Sequence, residues 1–275
     1  MSDHTSKFEK HHTIESGGLL LIDCLKNLCP EYSKQSLKRI LQHGAVWLTR
    51  GSYVQRVRRG KRVLSAGDQV HIYYDEKVLS STIQAPTLIA DESCYSVWSK
   101  PKGMFSQGTR WGDANSICRW VESNAFSDRS AYQVHRLDRA TSGLMLVAHS
   151  KKVAAQLSAL FERRLVEKHY TAIVTGRFPQ LERIDCDIDA KKAITLILKA
   201  EFKESRDQTE LLLKIETGRK HQIRRHLAGL GFPIVGDRLY GNHDKLSPNE
   251  PDLQLESCYL SFSSPQTNEK KVYQL

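Results

Sequence analysis

The chain has 275 residues, 40% hydrophobic and 26% charged, which excludes a disordered polymer and leaves room for more than one small domain. Lys and Arg total 41 against 31 Asp and Glu, a net charge of +10. That excess is local, because Ser33–Arg62 holds nine Lys or Arg and no acid, while 32 basic residues face 31 acidic ones elsewhere; a polyanion partner is therefore expected at one segment.

Residues 1–14 are polar and expected to be loose. From Leu19, apolar residues recur at helical offsets (Leu20, Leu21, Leu25, Leu28) until Pro30 ends the pattern. Ser33 suits the N-cap of a second helix, with Leu37, Ile40 and Leu41 on one side and Lys34, Lys38 and Arg39 available to solvent. Gly44 stops it. "AVWL" and "DQVHIYY" read as strands, with turns at Arg50-Gly51 and Gly67-Asp68. Residues 78–92 follow neither period and contain Pro86, so they are expected to be a linker.

Beyond it, "GLMLVAH" (Gly143–His149) suits a buried strand. Ser150 can cap a helix carrying Val153, Leu157, Leu160, Phe161 and Leu165 at helical spacing. "YTAIVTG" and "TELLLKIETG" are strand-like, and His221–Leu230 is helical until "GLGFP" breaks it. Consecutive strands with irregular helices argue for an α+β mixed sheet, without the regular alternation of a doubly wound fold.

Several chemistries lack their sequence signature. The six cysteines are dispersed, with no C-x-x-C pair and no zinc-ligand spacing. His221 and His226 are five apart, on different sides of a helix, and so are poorly placed as a metal pair. There is no P-loop and no G-x-S-x-G elbow, and no G-x-G-x-x-G follows a strand, so a dinucleotide cofactor is unsupported. "LLLI" is too short for a signal peptide, and no run approaches the roughly 20 apolar residues of a spanning helix. A cytoplasmic protein with reduced thiols and no membrane partner is expected.

What remains is an ordered set of motifs: "SKPKGMFSQGT" (Ser99–Thr109), "HRLDRATSGL" (His135–Leu144), "EKHYTAIVTGR" and "TGRKHQIRRHLAGLGFPIVGDRLYG" (Thr217–Gly241). Taken alone, Asp138 between Arg136 and Arg139 would more often be a surface ion pair than a catalyst. Together the motifs closely resemble the RluA-type RNA pseudouridine synthases, over about residues 90–275. The resemblance implies a mostly antiparallel catalytic sheet with flanking helices. It implies Asp138 as the essential aspartate, Tyr170 as the tyrosine packed against the target base, and Arg224 as the arginine paired with the aspartate. Arg136 matches an arginine that can occupy the space left by a flipped nucleotide; His135, Leu227, Arg219 and His221 complete the expected substrate-binding set.

The two short helices, Gly44 and the basic hairpin resemble the S-four type (alpha-L) RNA-binding module, although the turn reads "LTRGS" instead of an Asn-Gly-like pair. The implied organisation is a flexible 1–14, a module at 15–77, a linker at 78–92 and a catalytic domain at 93–275, with Lys38, Arg39, Arg58 and Arg59 on RNA phosphates. The implied partner is RNA, ribosomal RNA being favoured because the two-module layout resembles large-subunit enzymes, and transfer RNA being the alternative. A monomer is expected. Uridine isomerisation breaks a glycosidic C–N bond and joins carbon 5 of the uracil to the same sugar, so it needs neither redox cofactor nor metal. One aspartate could serve as nucleophile or base; a glycosidase would normally want two carboxylates and an activated water. A bidentate Arg224–Asp138 pair is expected to fix the carboxylate. The competing readings are a non-catalytic RNA-binding or ribosome-assembly factor and an RNA N-glycosidase.

Overall fold

The computed structural model describes residues 7–241 and 251–275, in two compact units. The first comprises the described residues up to Ile83 together with Gln107–Trp120; the second comprises Gln84–Ser106 and the described residues from Val121 onward.

In the first unit, strand β1 (Lys7–Thr13) pairs antiparallel with β4 (Gln69–Asp75), from Lys7↔Asp75 to Thr13↔Gln69. This corrects the expectation of a loose start for residues 7–13; residues 1–6 lie outside the described set. The segment carries one large apolar side chain, Phe8, which stacks on Tyr74 with ring centroids 5.0 Å apart. Backbone pairing makes the rest of the strand, and composition does not report backbone pairing.

Helix α1 (Leu21–Leu28) buries Leu21, Ile22, Cys24 and Leu25. Helix α2 (Lys34–Gln42) buries Leu37, Ile40 and Leu41, and the Ser33 hydroxyl caps it by accepting the Ser36 N–H at 3.1 Å. The hairpin β2 (Val46–Arg50) and β3 (Tyr53–Arg56) completes a sheet ordered β1-β4-β2-β3, and one apolar cluster joins that sheet to both helices. Helix α3 (Glu76–Ser80) and strand β5 (Thr87–Asp91) occupy most of the expected linker, so the boundary shrinks to a step between Ile83 and Gln84.

A second departure is that Gln107–Trp120, with the short helix α4 (Ile117–Trp120), belongs to the first unit. The Trp47 indole N–H donates to the Arg110 carbonyl at 3.1 Å. The Asp113 carboxylate lies 2.5 Å from Arg58 and 3.5 Å from Arg56. Arg58 also donates to the Gln42 carbonyl, and Arg39 to that of Leu79. Lys38 and Arg59 are exposed, whereas Arg58 shares the Asp113 carboxylate with Arg56 inside its own unit.

The second unit contains β5, β6 (Tyr95–Lys100), β7 (Tyr132–Gln133), β8 (Ser142–Ala148), α5 (Lys151–Glu162), β9 (Glu167–Thr175), β10 (Arg183–Asp185), β11 (Ile194–Lys203), β12 (Gln208–Ile215), α6 (Gln222–Gly229), β13 (Leu255–Ser263) and β14 (Lys270–Gln274). The strands form one sheet in the order β10-β11-β12-β9-β13-β8-β6-β5, with β14 on β13 and β7 on β8. This is the expected α+β, mostly antiparallel architecture. Val153 and Leu157 of α5 pack with Leu144, Leu146 and Ala148 of β8 in its core, and Trp98 is buried as well.

Among the described residues, one strand pair is parallel, β13 with β8, through Glu256↔Ser142 and Ser257↔Gly143. Ser257 also pairs with Tyr170 of β9. The start of β8, and the turn that precedes it, is thereby set beside Tyr170. Gly143 permits this contact: its φ is 105°, and a Cβ there would collide with the Ser257 backbone. Gly143→Ala is expected to cost about 2 kcal/mol or more through strain at that φ and the collision. Urea unfolding would check it, and an unchanged midpoint would count against the close approach.

Candidate active site

Asp138 lies between β7 and β8 in a segment tied down at several points. The Ser106 hydroxyl donates to the Leu137 carbonyl at 2.7 Å and accepts the Leu137 N–H at 2.9 Å, so one side chain satisfies both backbone groups beside Asp138. The Gly103 N–H donates to the Arg139 carbonyl, and the Arg139 guanidinium donates back to the Gly103 carbonyl at 3.1 Å. The Thr141 N–H closes the turn on the Asp138 carbonyl at 3.1 Å. Lys100, fully buried at the end of β6, donates to the carbonyls of Pro101 and Met104, each at 3.0 Å. The part of the "SKPKGMFSQGT" motif up to Ser106 is therefore a buttress for the aspartate turn.

The wall opposite comes from "TGRKHQIRRH". Gln222 is buried, and its side-chain oxygen accepts from the Thr217 hydroxyl at 2.7 Å and the Arg219 N–H at 3.1 Å. Its amide nitrogen donates to the Ile194 carbonyl at 2.9 Å. This locks residues 217–221 onto β11 and lets α6 begin at Gln222, with His221 in the left-handed region at φ 54°.

Asp138, Arg136, Tyr170, Arg219, His221 and Arg224 line one cavity of about 330 Å³, a size suited to a small polar group. Its apolar lining comes from Leu137, Tyr170, Ile215, Ile223 and Leu255, and Asp138 is the one carboxylate on it among the described residues. Burial pushes the Tyr170 hydroxyl up, and the Asp138 charge adds to that, so a neutral aromatic ring is presented. The Asp138 carboxylate is 3.6 Å from His221 Nε2 and 3.8 Å from Arg224 Nη1.

Arg224 differs from its expected pairing. Its bidentate partner is Asp237, with Nε and Nη2 donating at 2.8 and 2.7 Å, and Asp138 receives only the longer contact from Nη1. Burial alone would raise Asp237, but the Arg224 bonds and the N–H groups of Leu239 and Tyr240 outweigh it and hold the carboxyl below its ordinary range. The reason is geometric: the guanidinium fork is filled from behind by a carboxylate on the loop after α6, leaving one edge for the cavity.

Two other expected substrate contacts are structural. His135 stacks on Phe161 with centroids 4.3 Å apart, and its Nε2 accepts the Leu146 N–H at 3.0 Å; burial and nearby Lys168 lower its pKa to about 3. It anchors the motif to β8 and does not line the cavity. Leu227 is fully buried in the body of the unit. His226 bonds the Thr195 hydroxyl and the Cys186 carbonyl, away from His221. Sequence reasoning gave no role to Lys100, Ser106, Gln222, Asp237 or Tyr240, although all lie inside the quoted motifs.

Among the described residues, one carboxylate thus shares a cavity with a tyrosine and several cations on a mostly antiparallel α+β sheet. The model of the family described as RNA pseudouridylate synthase matches residues 94–229. An uncharacterised RNA pseudouridine synthase of Bacillus subtilis, YjbO, is 32% identical over 231 residues, covering 76% of this chain and 80% of that one. Ribosomal large subunit pseudouridine synthase D of Pseudomonas aeruginosa is 29% identical over 255 residues, 85% of this chain and 77% of that one. The fold is like that of the solved human RNA pseudouridylate synthase domain containing 1, with TM-score 0.58 and 21% identity over 71% of this chain and 84% of that one. The chain belongs to the RNA pseudouridine synthases of the RluA type, isomerases that convert uridine to pseudouridine within RNA.

Asp237→Asn leaves the buried Arg224 guanidinium without its counter-charge and is expected to destabilise the second unit by about 3 kcal/mol. Calorimetry would check it, and a loss under about 1 kcal/mol would argue that Arg224 re-pairs with Asp138. Lys100 makes a pH-dependent case. Burial lowers its pKa from 10.5 to about 7, with Asp138 opposing, so between those values the unfolded chain binds more protons and stability rises with pH. The wild type should gain stability relative to Lys100→Met from about pH 7 to about pH 10 in urea titrations; a constant difference would count against a neutral buried amine.

Proposed function

We propose that the enzyme isomerises specific uridines of ribosomal RNA, and that Asp138 acts on a uridine flipped into the 330 Å³ cavity. The observation that carries this reading is the one cavity carboxylate among the described residues, with Arg224 at 3.8 Å and the Tyr170 ring lining the same cavity. Isomerisation conserves the composition of the nucleotide: the bond from the sugar to N1 breaks, the bond to carbon 5 forms, the proton on carbon 5 leaves to solvent and N1 takes one up. It needs one residue to act at the reacting sugar or base, and a floor on which uracil can turn after the glycosidic bond breaks. A second carboxylate to activate water, which a glycosidase would normally use, is absent from the cavity lining among the described residues.

Each lining group has a place in that reaction. Flipping costs a few kcal/mol of unstacking, and packing on the Tyr170 face returns about 1–3 kcal/mol. Exposed Arg136, next but one to Asp138, fills the gap left in the RNA. Arg219 and Lys220 give the cavity mouth the positive charge that a phosphate backbone requires. The first unit acts as an S-four-like RNA-binding module, with exposed Lys38 and Arg59 on phosphates. Ribosomal RNA is favoured by this two-unit layout and by the similarity to a large-subunit enzyme over most of both chains.

The test incubates wild-type and Asp138→Asn protein with total ribosomal RNA, transfer RNA and immature ribosomal particles from a strain lacking the gene. Pseudouridine is then mapped by carbodiimide-dependent reverse-transcription stops. A new stop in ribosomal RNA with the wild type and none with Asp138→Asn is the expected result. A stop confined to transfer RNA would reassign the substrate, and release of free uracil would make the protein a glycosidase. RNA binding without a stop in any pool would make it a binding or assembly factor.

A further inference from the structure

The Tyr240 side chain has had no role so far, and it stands eleven residues past the end of α6, yet it reaches back to His221. Its hydroxyl is 2.9 Å from His221 Nδ1, and the other ring nitrogen of His221, Nε2, is the atom 3.6 Å from Asp138 Oδ1. The two rings meet edge to face, with centroids 5.6 Å apart at 74°. Tyr240 is held by its own N–H, which donates to Asp237 Oδ1 at 3.1 Å, and by the Arg224 guanidinium, 5.1 Å from its ring centre. His221 in turn keeps a left-handed backbone that non-glycine residues adopt only at a cost, and its side chain caps nothing in α6. The strained conformation aims an imidazole at Asp138.

We propose that Tyr240 and His221 form a positioning pair for the catalytic aspartate, in which the Tyr240 hydroxyl donates to Nδ1 and fixes the His221 tautomer whose Nε2–H faces Asp138. This inference rests on the proposed role of Asp138. The charge pattern selects the direction of the chain. With the proton on Nδ1, the Nε2 lone pair would face a carboxylate; with the proton on Nε2, an N–H faces it. At 3.6 Å this N–H is poised and not yet bonded, leaving the carboxylate able to turn toward substrate.

A neutral imidazole suits this site better than an imidazolium. Arg136, Arg219, Lys220 and Arg224 already line the cavity, and a further full cation at Asp138 would tie the carboxylate into an ion pair and weaken it as nucleophile or base. Burial lowers the His221 pKa, Arg224 and Lys220 act in the same direction, and Asp138 and Asp237 oppose them. The Tyr240 hydroxyl faces the ring at Nδ1. The Tyr240–His221 hydrogen bond thus joins the motifs "HQIR" and "GDRLYG" a second time, beside the Arg224–Asp237 pair.

The test needs wild type, Tyr240→Phe and His221→Gln. Long-range proton–nitrogen NMR on the wild type at neutral pH should show the His221 ring protonated on Nε2 only, and Tyr240→Phe should show a mixture of tautomers. A wild-type ring protonated on Nδ1, or an unchanged ring in Tyr240→Phe, would overturn the proposal. Turnover is read as tritium released from RNA labelled at uracil carbon 5, across the range from acid to neutral pH. Loss of one hydrogen bond should lower kcat in Tyr240→Phe about tenfold with KM little changed. His221→Gln keeps a neutral N–H at the Nε2 position but cannot titrate, so the acid limb of its profile should move to lower pH. Active wild type with both variants unmoved in kcat and profile would overturn this inference alone. Wild type inert on every RNA would remove the role of Asp138 and the inference with it.

Discussion

The candidate active site depends on the Arg224–Asp237 pair, a buried bidentate contact that fixes three things at once. It turns the guanidinium so that only Nη1 looks toward Asp138. It ties α6 to the loop that follows it, across thirteen residues of chain. Through the second acceptor role of Asp237 toward the N–H groups of Leu239 and Tyr240, it also sets the phenol that meets His221. A buried ion pair is weak support for stability because of what it costs to desolvate. Its value here is directional, since a charge aimed by two parallel hydrogen bonds cannot wander as substrate enters.

The pair would have nothing to aim at without the parallel join of β13 and β8. In a sheet whose other described strand pairs are antiparallel, this contact sets the start of β8, and so the end of the Asp138 turn, beside a strand that already carries Tyr170 as its neighbour. The close approach requires Gly143, and Gly236 meets a similar need where its backbone passes Pro251 and Asp252 at φ 77°. Both glycines lie inside the motifs that supply the cavity lining, and both act through backbone room.

The sequence made most of this legible at the level of local pattern. Ser33 and Ser150 cap the helices their neighbours announce, and apolar periodicity locates α1, α2, α5 and α6 within a few residues. The cavity residues Asp138, Tyr170, Arg136, Arg219, His221 and Arg224 were all readable from ordered motifs. What periodicity could not give was partnership. The Arg224 partner is Asp237 because the loop after α6 folds behind the guanidinium, which no spacing rule states. His135 and Leu227 look like site residues from their proximity in sequence, but one faces Phe161 and the Leu146 N–H and the other faces the core. β1 was missed for a related reason: its partner strand lies some sixty residues away.

Charge shows the same gap between sequence and space. Ser33–Arg62 has no acid of its own, yet folding brings acids to it from elsewhere in the first unit: Asp23 to Lys34, Asp68 to Arg50, and Asp113 to Arg56 and Arg58. The net charge of the protein is unaltered by this, but the distribution of usable charge is not. A guanidinium already bonded to a carboxylate attracts phosphate less and must break a contact to do so, whereas exposed Lys38, Arg59 and Lys61 can exchange counterions for RNA at once. The proposed RNA face of the first unit therefore contracts from a thirty-residue basic run to a few side chains around the middle of α2 and the segment after β3. Asp113 takes part in setting it, and it comes from a segment that the linear order of motifs would assign to the catalytic domain. The insertion that completes the first unit thus also decides which of its cations remain open to RNA.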